Sequence, residues 1–196
     1  MIVRNAGAEQ QFIDTGTYVA ERIAMAPDHT FWTLGNPRRG PFTPEDRQFR
    51  KVRRYSADGT LVGEFLPASL FPLVKKGQAI SGGPIGDPFI AVAQDRVGIY
   101  YPANQSWMEL DIEGRIRGRW TLPLPVWRLA YTQAGRLFSL SPGLFRLREF
   151  DRSSASWKNL PPDLPPQFLL GVDGSKLMLG KAGPENFEVL ELEPAP

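Results

Sequence analysis

Four stretches of this chain repeat one pattern, in which a short polar turn separates two apolar segments. They read IAMAPDHTFWTL (23–34), IAVAQDRVGIYY (90–101), LAYTQAGRLFSL (129–140) and LLGVDGSKLMLG (169–180). When they are aligned on Ala26, Ala93, Thr132 and Gly171, their spacings are 67, 39 and 39 residues. Two equal spacings of this length are typical of repeat proteins, in which each repeat is one supersecondary unit.

A second strand-turn-strand segment follows each of the first three stretches. These segments read RRYSADGTLVGEF (53–65), MELDIEGRIRGRW (108–120) and LREFDRSSASWKNL (147–160). In the second of them Ile116, Gly118 and Trp120 alternate with arginines, and a period of two indicates a half-buried β-strand. The repeat is therefore predicted to be a four-stranded unit of about 40 residues. We call its strands A, B, C and D.

Two additions explain the longer first spacing. One is NPRRGPFTPEDRQFR (36–50), between strands B and C of the first unit, and the other is the segment 66–88, between the first and second units. The second carries four Pro and four Gly and shows no sustained periodicity, so we predict an inserted loop. No segment combines a 3.6-residue apolar stripe with helix caps.

Antiparallel four-stranded units joined by Pro-rich links are typical of β-propeller blades. We therefore predict an all-β fold: one β-propeller domain over 1–196 with about four four-stranded antiparallel blades. The predicted blades cover about 18–66, 88–122, 126–160 and 166–193.

The segment 8–16 is predicted to be an additional outer D strand. Phe12 and Pro27 lie 15 residues apart, as do Trp157 and Val172 in the third and fourth units. Two arrangements follow: a closed ring of four blades, sealed by 8–16 on the last blade, or four consecutive blades of a larger ring. The rarity of four-bladed rings favours the second arrangement, which would leave strand edges at 8–16 and 187–193 for self-association.

Composition excludes several classes of site. The 196 residues include no Cys and one His, so disulfides, thiolate nucleophiles and Cys-ligated metals are excluded. No apolar run reaches about 18 residues, and the N-terminus lacks the apolar core of a signal peptide. We expect a soluble chain without a membrane span, and its compartment stays unknown.

The motifs IAVAQD (90–95) and RRYSADGTLVGEF (53–65) resemble the repeats of bacterial six-bladed, NHL-like β-propellers. The resemblance covers roughly residues 8–193. It implies a binding scaffold, although hydrolases and lyases occur among such propellers, so it indicates architecture better than activity.

The predicted topology places both additions on one face, which we call the loop-rich face. This convergence favours a binding role there, for a protein or a small-molecule ligand, over an enzymatic one. The alternative is that both additions are merely tolerated surface loops.

Residues just before each A strand are predicted to line the mouth of the central channel. Aligned on the repeat, Glu21 corresponds to Trp127, and Arg22 corresponds to Arg128 and Gln167. Polar side chains here suit hydrogen bonding to a ligand, with Trp127 as a stacking surface. The alternative is that they pair with one another and hold the blades together. The ligand-binding candidates are Arg22, Asp87, Trp127, Arg128 and Gln167, together with Arg38 and Arg39 of the first addition.

A basic run extends from 38 to 54. Nucleic acid or an acidic partner is one interpretation, because Phe42 and Phe49 are interleaved with the cations. However, the net charge is only +2, and 163–193 carries six acidic residues against two lysines. Intramolecular charge balance is the stronger interpretation, so we expect no nucleic-acid partner. The cations of the run are Arg38, Arg39, Arg47, Arg50, Lys51, Arg53 and Arg54.

The second functional hypothesis is a metal-dependent hydrolase or lactonase. Lactonase-type propellers hold Ca²⁺ near the channel, and Glu21, Asp87 and Asn104 are the residues here that would supply oxygen ligands. No catalytic residue is assigned, and no cofactor other than this Ca²⁺ is predicted. His29 is expected to be exposed in a turn, and Asp111 and Glu113 are interpreted as turn residues.

Overall fold

A computed structural model of the chain describes residues 2–6, 9–37, 44–71, 88–123, 126–140, 146–160, 168–182 and 187–194. The chain divides into two compact units, Met1–Lys75 and Lys76–Pro196. The first unit contains β1 (Ile2–Ala6), β2 (Glu9–Ile13), β3 (Tyr18–Met25), β4 (Phe31–Pro37), β5 (Arg50–Tyr55) and β6 (Leu61–Pro67). The second contains β7 (Phe89–Val92), β8 (Arg96–Tyr101), β9 (Ser106–Asp111), β10 (Ile116–Thr121), β11 (Trp127–Tyr131), β12 (Leu137–Leu140), β13 (Leu147–Asp151), β14 (Ser156–Asn159), β15 (Phe168–Asp173), β16 (Lys176–Ala182) and β17 (Phe187–Leu192).

In the first unit, β3, β4, β5 and β6 form one antiparallel sheet in chain order. β1 and β2 form a separate hairpin, with Ile2 opposite Ile13. Both isoleucines are buried in one cluster with Phe31 and Tyr55, whose rings stack at 5.0 Å. The segment predicted as an outer strand thus pairs with β1, a strand that the sequence did not predict. Its role in sealing the last blade stays a prediction.

The second unit contains three more antiparallel sheets, each in chain order: β7 to β10, β11 to β14, and β15 to β17. The first strands of successive sheets lie side by side, because β11 contacts both β7 and β15. The turns after these strands are also joined. The amide of Gln94 donates to the carbonyl of Gln133, and the amide of Gln133 donates to that of Gly174, each over 2.9 Å. Repeated up-and-down sheets with neighbouring first strands are the blades of a β-propeller, which confirms the predicted fold class.

The core of the second unit lies between successive sheets. Trp107 of β9 packs edge-on against Tyr131 of β11 at 5.2 Å between ring centroids, and Phe150 of β13 packs against Trp120 of β10 at 6.4 Å. Close approach is possible because Gly98 has no Cβ beneath the Trp107 ring. Aromatic side chains of neighbouring sheets therefore pack against each other and hold successive blades together.

The structure refines the repeat alignment in the fourth blade. The amide of Thr132 donates to the carbonyl of Arg136 across a three-residue turn, whereas Asp173 pairs with Lys176 across a two-residue turn. The amide of Gln133 donates to the carbonyl of Gly174, so Thr132 corresponds to Asp173. Aligning Gly171 with Thr132 was therefore wrong by two residues in strand A, whereas Arg136 and Lys176, at the start of strand B, lie 40 residues apart.

The described parts of the two additions contain ordered elements. The first addition starts inside β4 and includes a 3-10 helix at Pro44–Gln48. The second starts inside β6 and continues as a 3-10 helix at Ala68–Leu70, whose Ala68 is buried. Residues 38–43 and 72–87 lie outside the described parts. No helix among the described residues has the length and apolar character needed to cross a bilayer.

Candidate functional site

A buried lysine lies where β4 leads into β5 in the first unit. Lys51 of β5 is 5% exposed, and its Nζ donates a hydrogen bond to Oδ1 of Asn36 over 2.5 Å. The Asn36 amide Nδ2 donates in turn to Oε1 of Glu21 over 2.5 Å. We call this connected set the Lys51–Asn36–Glu21 chain. It runs from the buried ammonium group to an exposed carboxylate on β3.

The described parts of both additions meet at this lysine. Asn36 belongs to the first addition, and Phe71 belongs to the second. The Nζ of Lys51 lies 5.3 Å from the centroid of the Phe71 ring. The amide of Ala68 donates to the carbonyl of Phe49 over 2.8 Å, which fixes the two additions to each other. The structure thus brings together two segments that lie far apart in sequence.

The surroundings of Lys51 disfavour its charged form. Burial lowers the pKa of Lys51, and the negative charge of Glu21 opposes that shift only in part. Its backbone carbonyl accepts a hydrogen bond from the Tyr18 hydroxyl over 3.0 Å, and that hydroxyl also lies 2.9 Å from Oγ1 of Thr33. Burial raises the pKa of Tyr18, so its hydroxyl stays protonated at neutral pH. The amine thus lies among polar groups, with the Glu21 carboxylate as a counter-charge at the end of the chain.

Of the predicted ligand-binding residues, Arg22 and Arg128 have described side chains. Arg22 is half-buried in β3, and its guanidinium donates to the backbone carbonyl of Glu21 over 2.8 Å. Arg128 is exposed in β11. Trp127 lies opposite Leu140, but its side chain lies outside what the structure describes. The other candidates, which also lie outside the described residues, are Asp87, Gln167, Arg38 and Arg39. The ligand-binding role of all seven stays a prediction.

The first strands of three sheets each contain a β-bulge. The register shifts once in β3, β11 and β15, and the extra residues are Glu21, Arg128 and Leu170. The amides of Ala26 and Thr132 each donate to the carbonyl four residues further on, so the two hairpins have the same turn and Arg22 corresponds to Arg128, as aligned. The bulge itself lies one residue nearer the turn in β11 than in β3. Arg128 has a positive φ of 29°, as bulges impose unusual backbone angles.

The residues of the calcium hypothesis are only partly described. Glu21 accepts the Asn36 hydrogen bond, and Oδ1 of Asn104 accepts a hydrogen bond from the Ser106 amide over 3.3 Å. Asp87 lies outside the described residues. In the described part of the chain, no three His, Cys, Asp or Glu side chains cluster in a way that could hold a metal ion. The hydrolase or lactonase alternative stays a prediction.

The basic run is divided between different environments in β5. Lys51 enters the chain described above, whereas Arg53 forms an ion pair with Glu64 at 2.7 Å and covers the Tyr18 ring at 4.3 Å. Arg54 approaches Asp28 at 3.4 Å. Arg53 and Arg54 are thus each paired with a carboxylate of the first unit. The roles of Asn36 and Lys51 were not predicted, although Asn36 begins the first addition and Lys51 directly follows it.

Two turn predictions are confirmed. His29 is exposed with a φ of 63° in the turn between β3 and β4. Oδ1 of Asp111 accepts hydrogen bonds from the amides of Glu113 and Arg115, over 3.1 and 2.9 Å. The Arg115 guanidinium then bridges Asp111 and Glu113. These two carboxylates therefore stabilise the turn of the β9–β10 hairpin.

The turn end of the sheets carries a repeated ion pair. Arg96, Arg136 and Lys176 follow one another at intervals of 40 residues. Each pairs with a glutamate on the C strand of its own sheet: Glu109 at 3.8 Å, Glu149 at 2.7 Å and Glu191 at 2.8 Å. In the first sheet the charges are exchanged: the C strand β5 supplies the cation, Arg54, and the turn between β3 and β4 supplies the carboxylate, Asp28. This repetition indicates a structural role for the turn end.

No protein-family model matches the sequence, and no curated protein matches it. Three solved structures of β-propeller proteins are similar to it. Virginiamycin B lyase from Staphylococcus aureus aligns with a TM-score of 0.43 and 15% identity over 80% of this chain and 46% of its own. A streptogramin B lyase aligns with a TM-score of 0.42 and 14% identity over 89% of this chain and 54% of its own. YCF48 bound to a D1 peptide aligns with a TM-score of 0.40 and 14% identity over 96% of this chain and 60% of its own.

The chain spans about half the length of these structures. Similarity at this level assigns no activity, ligand or partner to it.

Proposed function

We propose that this chain is a non-enzymatic β-propeller binding module that engages a protein or small-molecule ligand through its loop-rich face. We further propose that the propeller is of the NHL-like, six-bladed bacterial type that the repeat motifs resemble. The observation that carries the binding role is the buried ammonium group of Lys51, held by a neutral amide where the described parts of both additions meet.

The chemistry of Lys51 favours a ligand that bears a carboxylate. A buried ammonium group is costly unless a good acceptor compensates for its lost hydration. The amide oxygen of Asn36 provides a neutral acceptor, and the Glu21 carboxylate bonds to Asn36 and attracts the ammonium group through its charge. A charge-assisted hydrogen bond is roughly twice as strong as a neutral one, so a carboxylate that reached Nζ would bind more strongly than the amide does.

Lysine-resolved NMR tests this proposal. The amines would be isotopically labelled by reductive methylation, and the protein titrated with small mono- and dicarboxylates and with an acidic peptide. We expect signals of Lys51 to shift while those of Lys158 and Lys176, at the turn end, stay in place. The corresponding methyl esters are the matched neutral ligands and should leave all three signals unchanged.

The Lys51→Met variant should lose the carboxylate response and be at least as stable to heat as the wild type at pH 7. The proposal is contradicted if no carboxylate or acidic peptide shifts the Lys51 signal. It is equally contradicted if the esters bind as well as the acids, or if the Lys51→Met variant binds as the wild type does.

A further inference from the structure

The segment 66–71 covers Lys51 in the first unit. It contains the last residues of β6, the 3-10 helix Ala68–Leu70 and Phe71. Phe71 is 4% exposed, and the Nζ of Lys51 lies 5.3 Å from the centroid of its ring. The ring therefore shields one side of the amine from solvent, and its face attracts the positive charge.

This cover is held by contacts that lie beyond the strand ladder. β6 pairs with β5 as far as Pro67, which lies opposite Arg50. Beyond Pro67 the Ala68 amide donates to the carbonyl of Phe49 over 2.8 Å, and the Phe71 amide donates to the carbonyl of Ala68 over 3.0 Å. A rotation of this short segment would therefore move the Phe71 ring and leave the pairing of β5 with β6 intact.

The backbone is strained at Leu66, directly before these contacts. Leu66 has a φ of 52°, and its side chain is buried. In this left-handed region the Cβ of a leucine comes too close to the following carbonyl oxygen. Strain of this kind is typical of ligand clamps and switch regions. The register of β5 and β6 places Leu66 opposite Lys51, so the strained position lies at the site itself.

A carboxylate and the Phe71 ring compete for the same side of the amine. A charge-assisted hydrogen bond places the acceptor oxygen about 2.8 Å from Nζ. On the line from Nζ to the Phe71 ring, such an oxygen would lie only about 2.5 Å from the ring centroid, well inside van der Waals contact. The ring must therefore move before a carboxylate binds Nζ from this side.

We propose that Phe71 gates the Lys51 site, and that a carboxylate reaches the amine when the segment 66–71 turns away about Leu66. This inference rests on the proposed carboxylate-binding role of Lys51, and it gives the second addition a part in that role. While the ring covers the amine, only a minor fraction of the molecules can bind. The apparent dissociation constant rises in inverse proportion to that fraction, so removing the ring should strengthen binding.

Solvent access to Lys51 tests the gate without any ligand. The lysines of the full chain would be labelled by reductive methylation, and a neutral paramagnetic chelate would be added to broaden the signals of accessible groups. We expect Phe71→Ala to increase the broadening of the Lys51 signal. The exposed Lys158 and Lys176 should broaden as they do in the wild type.

Phe65→Ala is the matched control, because it removes an aromatic ring from the neighbouring part of β6. The Phe65 ring packs against Trp32 at 5.2 Å between ring centroids. Phe65 lies opposite Val52, the neighbour of Lys51 in β5, so its side chain points to the other face of the sheet. This variant should lose apolar packing and leave the broadening of the Lys51 signal unchanged.

Titration with acetate measures the effect of the gate on binding. We expect Phe71→Ala to bind acetate about tenfold more tightly than the wild type, which corresponds to an open fraction of about a tenth. Phe65→Ala should bind acetate as the wild type does. Phe71→Leu keeps an apolar side chain and lacks the ring, so it should change both measurements in the same direction even where the alanine variant fails to fold.

Two results would overturn the gate and leave the binding role in place. One is unchanged broadening of the Lys51 signal in the Phe71 variants, and the other is equal acetate affinity in these variants and the wild type. A Lys51 signal that acetate shifts in none of the proteins would overturn the binding role, and the gate with it.

Discussion

The guanidinium of Arg152 bonds to the carboxylate of Glu109 across the boundary between two neighbouring sheets. Nε of Arg152 lies 3.0 and 3.1 Å from the two carboxylate oxygens, and the terminal nitrogen completes the pair. The same carboxylate accepts hydrogen bonds from Nε1 of Trp107 over 3.0 Å and from the Tyr131 hydroxyl over 3.2 Å. Because the Glu109 side chain is 3% exposed, these donors replace its lost hydration.

Removing either partner of this ion pair should destabilise the protein. We expect Glu109→Ala to lower the free energy of unfolding by about 3 kcal/mol, because the half-buried Arg152 would lose its counter-charge and the buried donors of Trp107 and Tyr131 would lose their acceptor. Urea denaturation measures this change. The matched control is Glu149→Ala, whose ion pair with Arg136 is a quarter exposed on each side, and we expect a loss of about 1 kcal/mol or less there. Equal losses in the two variants would contradict the prediction.

A methyl group at Gly118 should displace Trp120. The Cβ of an alanine at this position would overlap the Trp120 ring, which packs against Phe150 and donates from Nε1 to the carbonyl of Arg152 over 3.2 Å. We expect Gly118→Ala to cost roughly 1–3 kcal/mol and to change the tryptophan fluorescence. Gly171→Ala is the control, because no atom lies within 4 Å of its added Cβ. Equal melting temperatures for the two variants would contradict the prediction that the added Cβ displaces Trp120.

The stability contributed by Asp151 should depend on acid pH. Hydrogen bonds from Lys158, and then from Ser153 and Ser154, hold the pKa of Asp151 well below its ordinary value of 3.8. The stabilisation is therefore complete above about pH 4 and is lost as pH falls through the lowered pKa. We expect Asp151→Asn to be less stable than the wild type at pH 7, with a difference that shrinks below pH 4. Asp173→Asn, at an exposed position outside this network, serves as the control. A difference that is constant from pH 7 to pH 2 would refute the mechanism.

Lys51 should make the stability of the protein depend on alkaline pH. Since burial lowers its pKa below the ordinary value of 10.5, the unfolded chain binds more protons than the folded chain between the two values. Wild-type stability should therefore rise with pH in that interval, relative to Lys51→Met. At pH 7 the variant should be at least as stable as the wild type, because it removes a buried charge.

The control for this measurement is Lys176→Met. A hydrogen bond from Lys176 to Glu191 raises the pKa of Lys176, so this lysine contributes stability that is lost only as pH rises above 10.5. Denaturation series between pH 7 and pH 10.5 distinguish the two. A Lys51→Met variant that tracks the wild type at every pH would show that the amine is not desolvated in the folded state.

The blade architecture could be predicted because its signals are local. Period-two alternation in RIRGRW and the Asp111–Gly114 turn each lie within a few residues, and they specify a hairpin directly. The misalignment of the fourth blade has an equally local cause. A turn shortened by one residue changes the spacing of strand A without changing the pattern of apolar residues, so the sequence alone did not reveal it.

The candidate site was less predictable, because its members come from three strands. Lys51 looked like one cation in a basic run, and only the pairing of β3, β4 and β5 places it beside Asn36 and Glu21. The sequence by itself determined an all-β chain of repeated antiparallel blades, since strand periodicity and turn residues act over short distances. Only the tertiary structure decided which charges are buried and what they contact, since burial depends on residues that are distant along the chain.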